Sequence, residues 1–339
     1  TRPHIDHTYG DRGDPTPYFA RSWRSGGVAS AMSREERESA CAATREAVEA
    51  SDVFKAFRRQ VEKLSGGRRL AARFEDLASD GRPDAIVVPL LRSDEQLEAA
   101  IAAGVTEVEL DWMEFVGLGK AFDRARSAGL RVTVATTRIG KPGEDALVER
   151  IFKLEPDGIL VRHFGALMRC LEQRERGLRS VLHGDFSLNA SNSLTVRHLL
   201  QLGLETVTAS FDLDETQLFA MLKSVPQSRV AVVAHHRIPT FHTEHCVYSH
   251  LLSNGRDYKS CGRPCEQHRV ALRDHVDREH PVIVDVGCRN TVFHHAPQQS
   301  AGWTDRLQQA GVCRYRVEFV REDGREVARV LSAWQELLA

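Results

Sequence analysis

The chain has 339 residues, which is long enough to bury a complete hydrophobic core without requiring a second domain. Its 46 lysine and arginine residues nearly balance 47 aspartate and glutamate residues, and no long run of one sign occurs, which excludes an electrostatic tail for nucleic acid or membrane. No apolar run is long enough to span a bilayer, so we expect a soluble, cytoplasmic protein without a membrane partner. Any RNA binding would have to come from a local basic patch.

The sequence pattern of the first 66 residues predicts an irregular and helical N-terminal arm. Residues 1–27 are rich in Gly, Pro, Asp and Arg and lack a hydrophobic period, whereas residues 33–64 have helical spacing and begin with a capping pattern at Ser33. Because Thr1 and not Met stands first, we expect a processed chain or the C-terminal part of a longer protein. We assign residues 67–339 to one large domain.

From residue 85 onward, short apolar runs alternate with amphipathic stretches, a pattern typical of β/α units around a parallel sheet. The predicted strands are 85–90, 107–111, 131–135, 159–162, 180–183, 206–210, 230–234 and 314–319. The predicted helices are 94–103, 118–128, 144–154, 166–176, 193–202, 214–223 and 325–338. Eight such units predict an α/β fold, a closed TIM-like β/α barrel.

Residues 238–303 interrupt this pattern between the seventh and eighth strands. This insertion carries four of the seven cysteines and eight of the 15 histidines, and we predict one short strand in it, at residues 282–286. Long irregular insertions in compact domains are usually functional. Because this insertion follows a strand end, we expect it at the C-terminal face, where barrel active sites lie.

Four cysteines in the insertion, Cys246, Cys261, Cys265 and Cys288, are candidate metal ligands. Four thiolates can hold a four-iron four-sulfur cluster or a structural zinc, and spacing alone does not choose between them. Zinc sites usually use two tight Cys-x-x-Cys pairs, whereas only Cys261 and Cys265 are close here, which favours iron–sulfur. The alternative is four unrelated buried thiols. The other cysteines, Cys41, Cys170 and Cys313, lie in or near predicted regular elements and are expected to be inert.

Three segments resemble the peptidase U-32 family, whose members are often labelled collagenase-like proteases. The segment TFHTEHCVYSHLLSNGRDYKSCGRPCEQH, residues 240–268, resembles the family signature. The segment GDFSLNASNS, residues 184–193, resembles the motif that precedes it. DVGCRNTVF, residues 285–293, resembles the long-chain branch of the family.

The resemblance implies two kinds of activity. Some members are described as proteases, and others as oxygen-independent hydroxylases with a four-iron four-sulfur cluster on four cysteines. The hydroxylases modify an RNA pyrimidine or a small-molecule ubiquinone precursor, with prephenate as the implied oxygen donor. The long-chain branch is similar to the ribosomal RNA 5-hydroxycytidine synthase. We therefore expect an RNA-modifying iron–sulfur hydroxylase in which the four insertion cysteines bind the cluster.

Polar residues near the predicted strand ends and motifs are further candidates for the site. Residues suited to proton transfer and catalysis are His235, His236 and Asp185. Residues suited to substrate binding are Arg256, Arg263, Asn189, Asn192 and Arg162. For each of these side chains the alternative is a solvated or structural role; the two asparagines, for example, could hold a turn.

Two rival functions remain open. A peptidase would need an activated nucleophile or an open metal site, but neither H-E-x-x-H nor G-x-S-x-G occurs. The other rival is a non-catalytic, metal-braced binding half of a larger enzyme, which would act in a homo- or hetero-oligomer.

Overall fold

The structure is a computed structural model that describes residues 84–255 and 259–339, together with residues 50 and 55. The predicted N-terminal arm and its helix 33–64, apart from those two positions, lie outside the described residues. Cys41 and Arg256 also lie outside them.

Eight parallel strands form a closed barrel. They are β1 (Ile86–Leu91), β2 (Glu107–Leu110), β3 (Arg131–Ala135), β4 (Gly158–Val161), β5 (Val181–Gly184), β6 (Thr206–Thr208), β7 (Val230–His236) and, after the insertion, β13 (Arg314–Glu318). Neighbours in sequence pair from β1 to β7, and β13 closes the ring between β7 and β1. All eight predicted strands are present, so the predicted TIM-like barrel is confirmed.

Helices follow the barrel strands on the outside. They are α1 (Asp94–Ala102), α2 (Leu118–Ser127), α3 (Asp145–Phe152), α4 (Phe164–Glu175), α5 (Ser193–Gln201), α6 (Glu215–Leu222) and, after β13, α9 (Gly324–Leu338). Side-chain caps set the starts of several of them: Ser93, Asn192 and Asp323 each accept a hydrogen bond from a first-turn backbone N–H.

The last helix illustrates how the outer layer is held. Val327, Leu331 and Trp334 recur at helical spacing on α9 and are buried against the barrel. Burying side chains of this size contributes about 1.5–3 kcal/mol each. The helical layer is therefore fixed by one apolar stripe per helix.

Strand residues alternate between this outer core and the interior of the barrel. On β2, Val108 and Leu110 belong to the large apolar core, whereas the intervening Glu109 lies outside it. On β13, Tyr315 and Val317 belong to the core in the same way, and charged residues alternate with them. The interior of the barrel is therefore largely charged near its C-terminal end.

The insertion forms a small sheet of its own. It contains β8 (Pro239–Thr243), α7 (Val247–Leu252), β9 (Val270–Arg273), β10 (Glu279–Val284), β11 (Asn290–Phe293), β12 (Gln298–Gln299) and α8 (Thr304–Ala310). Four strands pair antiparallel in the order β8-β11-β10-β9, and β12 pairs with β7. The sequence predicted only one strand here because the others are short, and β8 and β9 are partly exposed.

No helix within the described residues is both long and apolar enough to cross a membrane.

Candidate active site at the barrel mouth

Arg162 is buried just beyond the end of β4 and links two carboxylates. Its two Nη atoms donate to both carboxylate oxygens of Asp111 at 2.6 and 2.9 Å, and its Nε donates to Asp185 at 2.9 Å. Arg92, just after β1, also donates to Asp111, at 2.9 Å. These four residues follow four different strands, so the network ties the C-terminal ends of the barrel together.

Arg316 extends the network inside the barrel. It forms an ion pair with Glu109 at 2.6 Å, a second one with Asp185, and a hydrogen bond to Thr208 at 3.0 Å. Glu318 lies 3.7 Å from the same guanidinium. Because all of these side chains are buried, each charge depends on its partners for compensation.

The arginines keep Asp111 and Asp185 ionised. Burial alone would raise the pKa of Asp111, but the charges and hydrogen bonds of Arg162 and Arg92 outweigh burial and lower the pKa to about 2. Asp185 follows the same balance: burial would raise its pKa, and Arg316 and Arg162 lower it. Asp185 has both oxygens engaged by arginines, an arrangement that suits positioning better than proton transfer.

The structure brings the four insertion cysteines into one region. Burial, followed by the charges of Glu114, Cys246 and Cys261, raises the pKa of Cys265 to about 11. Burial likewise raises the pKa of Cys288, with contributions from Cys246 and Cys261. Cys246 and Cys261 therefore each lie within electrostatic range of both Cys265 and Cys288.

Local backbone geometry directs N–H groups at two of these sulfurs. Cys246 caps the N-terminus of α7, and its Sγ accepts from Ser249 N at 3.5 Å. The Sγ of Cys261 accepts from Arg263 N at 3.4 Å, in a turn where Gly262 and Arg263 both have positive φ. Hydrogen bonds to the cysteine sulfurs are among the features that tune an iron–sulfur cluster.

Cys288 sits in a strained turn that its neighbours hold in place. Its φ of 61° is in the left-handed region, which costs a non-glycine residue of order 1 kcal/mol or more. Asp285 Oδ1 accepts from the backbone N–H groups of Gly287 and Arg289 at 2.8 and 2.9 Å. This turn fixes the direction of the Cys288 side chain.

Arg289 fastens the cysteine region to the barrel. Its side chain is 1% exposed and pairs with Glu144, just before α3, at 2.6 Å and with Glu244 of the insertion at 3.0 Å. Val286 N donates to Met113 O, beyond β2, at 2.8 Å. The cysteines therefore lie beside the loops that follow β2 and β3, at the active-site face.

The donor set and its surroundings fit an iron–sulfur cluster. Four thiols are available, and Cys246 and Cys265 pack against a small apolar cluster formed by Tyr248, Val282, Val284 and Val292. In the described part of the chain, no three His, Cys, Asp or Glu side chains are already grouped as ligands of a single metal ion.

A cleft of about 370 Å³ opens at the mouth beside the ion-pair network. Arg138 lies 5.4 Å over the Phe186 ring, and Phe186 and Phe211 have centroids 4.5 Å apart. Ser187 and Asn189 add polar lining. Burial and the charge of Arg162 lower the pKa of Arg138, and within the described residues no carboxylate forms an ion pair with it. The cleft therefore combines aromatic faces with a cation that Asp185 and Glu318 offset only from a distance, which suits a planar anionic ligand.

His242 is a candidate that the sequence analysis missed. Its Nδ1 lies 2.8 Å from Thr291 Oγ1, and its Nε2 is buried without a hydrogen-bond partner. Burial, followed by the charges of Arg138 and Arg289, lowers the pKa of His242 to about 4. With this pKa the ring is uncharged near neutral pH, so its free nitrogen can form a hydrogen bond with a ligand without a change of charge. Its place in the 240–268 motif was the only signal in the sequence.

The remaining predicted residues occupy different places. His236 is buried with its ring 5.1 Å from Phe211, and His235 is half-buried; burial lowers the pKa of both. Asn192 caps α5 through Thr195 N at 2.9 Å. Arg263 is exposed and pairs with Glu266 at 2.6 Å. Their roles in the site, and those of Arg162, Asp185 and Asn189, stay predictions.

We expect His242 to remain neutral down to about pH 4. Its NMR titration in histidine-labelled protein should have a midpoint near 4, and Arg138→Gln should move the midpoint upward because a neighbouring cation is removed. The pKa of His242 is lower in the folded state than in the unfolded state, so the unfolded state binds the proton first. The free energy of unfolding therefore falls as pH decreases from about 6.5 to 4. A midpoint near 6.5 in the unmodified protein would contradict this environment.

The fold and site together define a β/α-barrel protein with a candidate metal centre beside a cleft at its C-terminal mouth. The sequence profile of peptidase family U32 matches residues 109–339, about two thirds of the chain. The chain belongs to this family. No curated protein sequence matches the chain.

Several solved structures are similar to this chain. The U32 peptidase Mk0906 has a TM-score of 0.42 and 11% identity, over 72% of this chain and 96% of that one. A putative fructose-1,6-bisphosphate aldolase from Coccidioides immitis has a TM-score of 0.42 and 12% identity, over 75% and 89%. Thiamine phosphate pyrophosphorylase from Pyrococcus furiosus has a TM-score of 0.40 and 9% identity, over 75% and 97%.

Proposed function

We propose that this chain is a cytoplasmic iron–sulfur enzyme that hydroxylates a pyrimidine in RNA without dioxygen, with prephenate as the oxygen donor. The observation that carries the proposal is the convergence of Cys246, Cys261, Cys265 and Cys288 beside the barrel mouth, with N–H donors on two of the sulfurs. Four thiolates match the four irons of a four-iron four-sulfur cluster. When bound, the cluster would supply one-electron redox chemistry.

The residues of the cleft account for binding. A carboxylate or phosphate would be held by the guanidinium of Arg138, which is half-buried. A planar ring would stack on Phe186 or Phe211, because aromatic faces accept any nucleobase. The ionised Asp111 and Asp185 keep Arg162 in place beneath this cleft.

His242 supplies a neutral imidazole ring on the same side of the barrel. Its low pKa keeps the ring uncharged at neutral pH, so its Nε2 would form a hydrogen bond with the ligand and would not act as a base. Because Arg138 contributes to this low pKa, the residue that would bind the anion also keeps His242 neutral.

The direct test is an oxygen-free reaction of the cluster-loaded protein with prephenate and unmodified RNA. We expect one oxygen atom to be added to a pyrimidine, detected by nucleoside mass spectrometry, and no product when prephenate is omitted. Failure with RNA but success with a small aromatic acceptor would support the hydroxylase activity and show that its substrate is not RNA. Failure with both would contradict the proposal.

Arg138→Gln should raise KM for the anionic ligand by roughly tenfold or more, since a charge-assisted hydrogen bond is worth about 1.5–3 kcal/mol. Arg126→Gln is the matched control because Arg126 also lies over a phenylalanine ring, that of Phe122 at 5.7 Å, but on helix α2. Equal KM values for the two variants would show that Arg138 does not bind the anionic ligand.

A peptidase is the second candidate, favoured by the name of the family to which the chain belongs. Peptide hydrolysis by metal-free protein discriminates between the two. Strong turnover after chelation of the metal would favour the peptidase and contradict the hydroxylase. Intact partner binding by a metal-loaded protein that catalyses neither reaction would favour a non-catalytic half of a larger enzyme.

A further inference from the structure

A second, smaller chamber adjoins the cleft at the barrel mouth. Its volume is about 120 Å³, and it shares Ser210 and Phe211 with the cleft that contains Arg138. The Phe211 ring packs on both sides: its centroid lies 4.5 Å from that of Phe186 in the cleft and 5.1 Å from that of His236 in the chamber. A ligand in the chamber would therefore be a direct neighbour of a ligand in the cleft.

The size and walls of the chamber suit one planar six-membered ring. Its apolar wall consists of Leu213, Leu218, Val232 and Trp303. An apolar cavity of about 150 Å³ is large enough to bind benzene. The chamber is slightly smaller, but the exposed residues Gln298 and Gln299 form part of its lining, so one side is open to solvent. It therefore accommodates a single ring, whereas two fused rings would overfill it.

His236 brings an unpaired polar atom to this lining. The residue is 4% exposed, and its Nδ1 is buried with no hydrogen-bond partner among the described residues. Burial lowers the pKa of His236, so the ring is uncharged near neutral pH. A nitrogen of a neutral imidazole either donates or accepts one hydrogen bond, depending on the tautomer. Because an unpaired buried nitrogen costs free energy, a polar ligand atom in the chamber would be stabilised there.

Strand β12 adds an amide on the same side. Gln298 pairs directly with His236 in the antiparallel ladder between β12 and β7. Directly opposed residues carry their side chains on the same face of a sheet, so the Gln298 amide lies on the face that bears the His236 ring. An amide offers both a donor and an acceptor. The chamber thus combines apolar walls with one polar edge.

We propose that this chamber is the subsite for the acceptor, a pyrimidine ring of an RNA nucleotide turned out of its base stack, beside the anion-binding cleft. Enzymes that act on a nucleobase enclose the unstacked base between aromatic or apolar side chains and hydrogen-bond its polar edge. The ring would lie against Phe211 with its polar edge toward His236 and Gln298, and the ribose would lie at the open side. The choice of RNA rests on the proposed function, whereas the preference for one ring over two rests on the chamber alone.

The test is a saturation-transfer NMR titration of the full, cluster-loaded protein with cytidine, without oxygen and without the donor. Cytidine carries no phosphate, so a cation in the cleft does not attract it. We expect saturation of the cytosine ring protons. Adenosine should bind at least about tenfold more weakly, because its second ring overfills the chamber.

Two variants change the chamber directly. His236→Phe keeps a ring that packs on Phe211 but removes both nitrogens, so it should weaken cytidine binding about two- to tenfold, the size of one neutral hydrogen bond. Ser300→Leu fills part of the chamber from a half-buried wall position and should abolish binding. Ser332→Leu, which changes an exposed serine on α9, is the matched control and should bind like the wild type. Circular dichroism establishes that each variant is folded.

Three results would overturn the proposal. The first is equal cytidine affinity in the wild type, His236→Phe and Ser300→Leu, or equal affinity of the wild type for adenosine. The second is a loss in Arg138→Gln as large as that in His236→Phe, which would place cytidine in the cleft. The third is binding of phenol but not of cytidine, which would assign the chamber to a small aromatic acceptor. Because no turnover is needed, a failed hydroxylation assay and a failed binding test are distinguishable.

Discussion

Cys265→Ser is expected to lose nearly all of the iron and sulfide that the unmodified protein binds. Cys265 stands closest in sequence to another ligand, Cys261, and packs against the apolar side of the centre. Serine is a poor ligand for iron compared with a thiolate, and three thiolates leave one of about four irons unprotected. Iron and sulfide analysis and visible absorption under oxygen-free conditions measure the loss. Substitution of Cys246, Cys261 or Cys288 should have the same result.

Cys170→Ala is the matched control. Cys170 is fully buried on α4, and burial raises the pKa of its thiol to about 12, so it is not a thiolate at neutral pH. This variant should keep the metal content and spectrum of the wild type. If Cys170→Ala lost the cluster while Cys265→Ser kept it, the assignment of the ligands would be wrong.

Arg316→Met is expected to destabilise the fold by about 3–5 kcal/mol, the usual cost of removing one partner from a buried ion pair. The substitution leaves Glu109, Asp185 and Glu318 without their shared cation in the barrel interior. Burial raises the pKa of Glu109 even though the charge of Arg316 opposes this effect. The variant loses that charge, so Glu109 should be still harder to ionise. Urea unfolding measures the free energy of unfolding.

Arg124→Met provides the comparison for this prediction. Arg124 pairs with Glu98 at 2.7 Å, but both side chains are about half exposed, so solvent screens the pair and it contributes little to stability. If the free energy of unfolding fell by similar amounts in the two variants, the interior network would contribute no more to stability than a surface ion pair.

The strands of the barrel could be predicted because both of their faces are buried. Segments such as Ile86–Leu91 and Val230–His236 are mostly apolar, as expected for parallel strands covered by helices. The charged interior could not be predicted in the same way. Arg314–Glu318 alternates charged and apolar residues, which is typical of a strand with one face in water, yet all five residues are buried. The partners of Arg316 come from other strands, which the local pattern does not reveal.

The residues of the candidate site likewise differ in how well the sequence predicts them. The cysteines could be found from their clustering in one insertion and from the family resemblance. His242 could not, because its properties arise where the loop after β3 approaches the first strand of the insertion. Asp185 was predicted as catalytic from its position after a strand, but the two arginines that bind it lie 23 residues before it and 131 after it. Contacts of that separation appear only once the barrel closes.

The most direct test of the central claim is the iron and sulfide content, together with the visible absorption, of protein purified without oxygen. A brown protein with about four irons and four sulfides per chain, as four thiolate ligands allow, is the predicted result. A colourless protein that contains one zinc at the cysteines, or no metal there, would contradict the iron–sulfur centre and remove the redox chemistry on which the proposed hydroxylation depends.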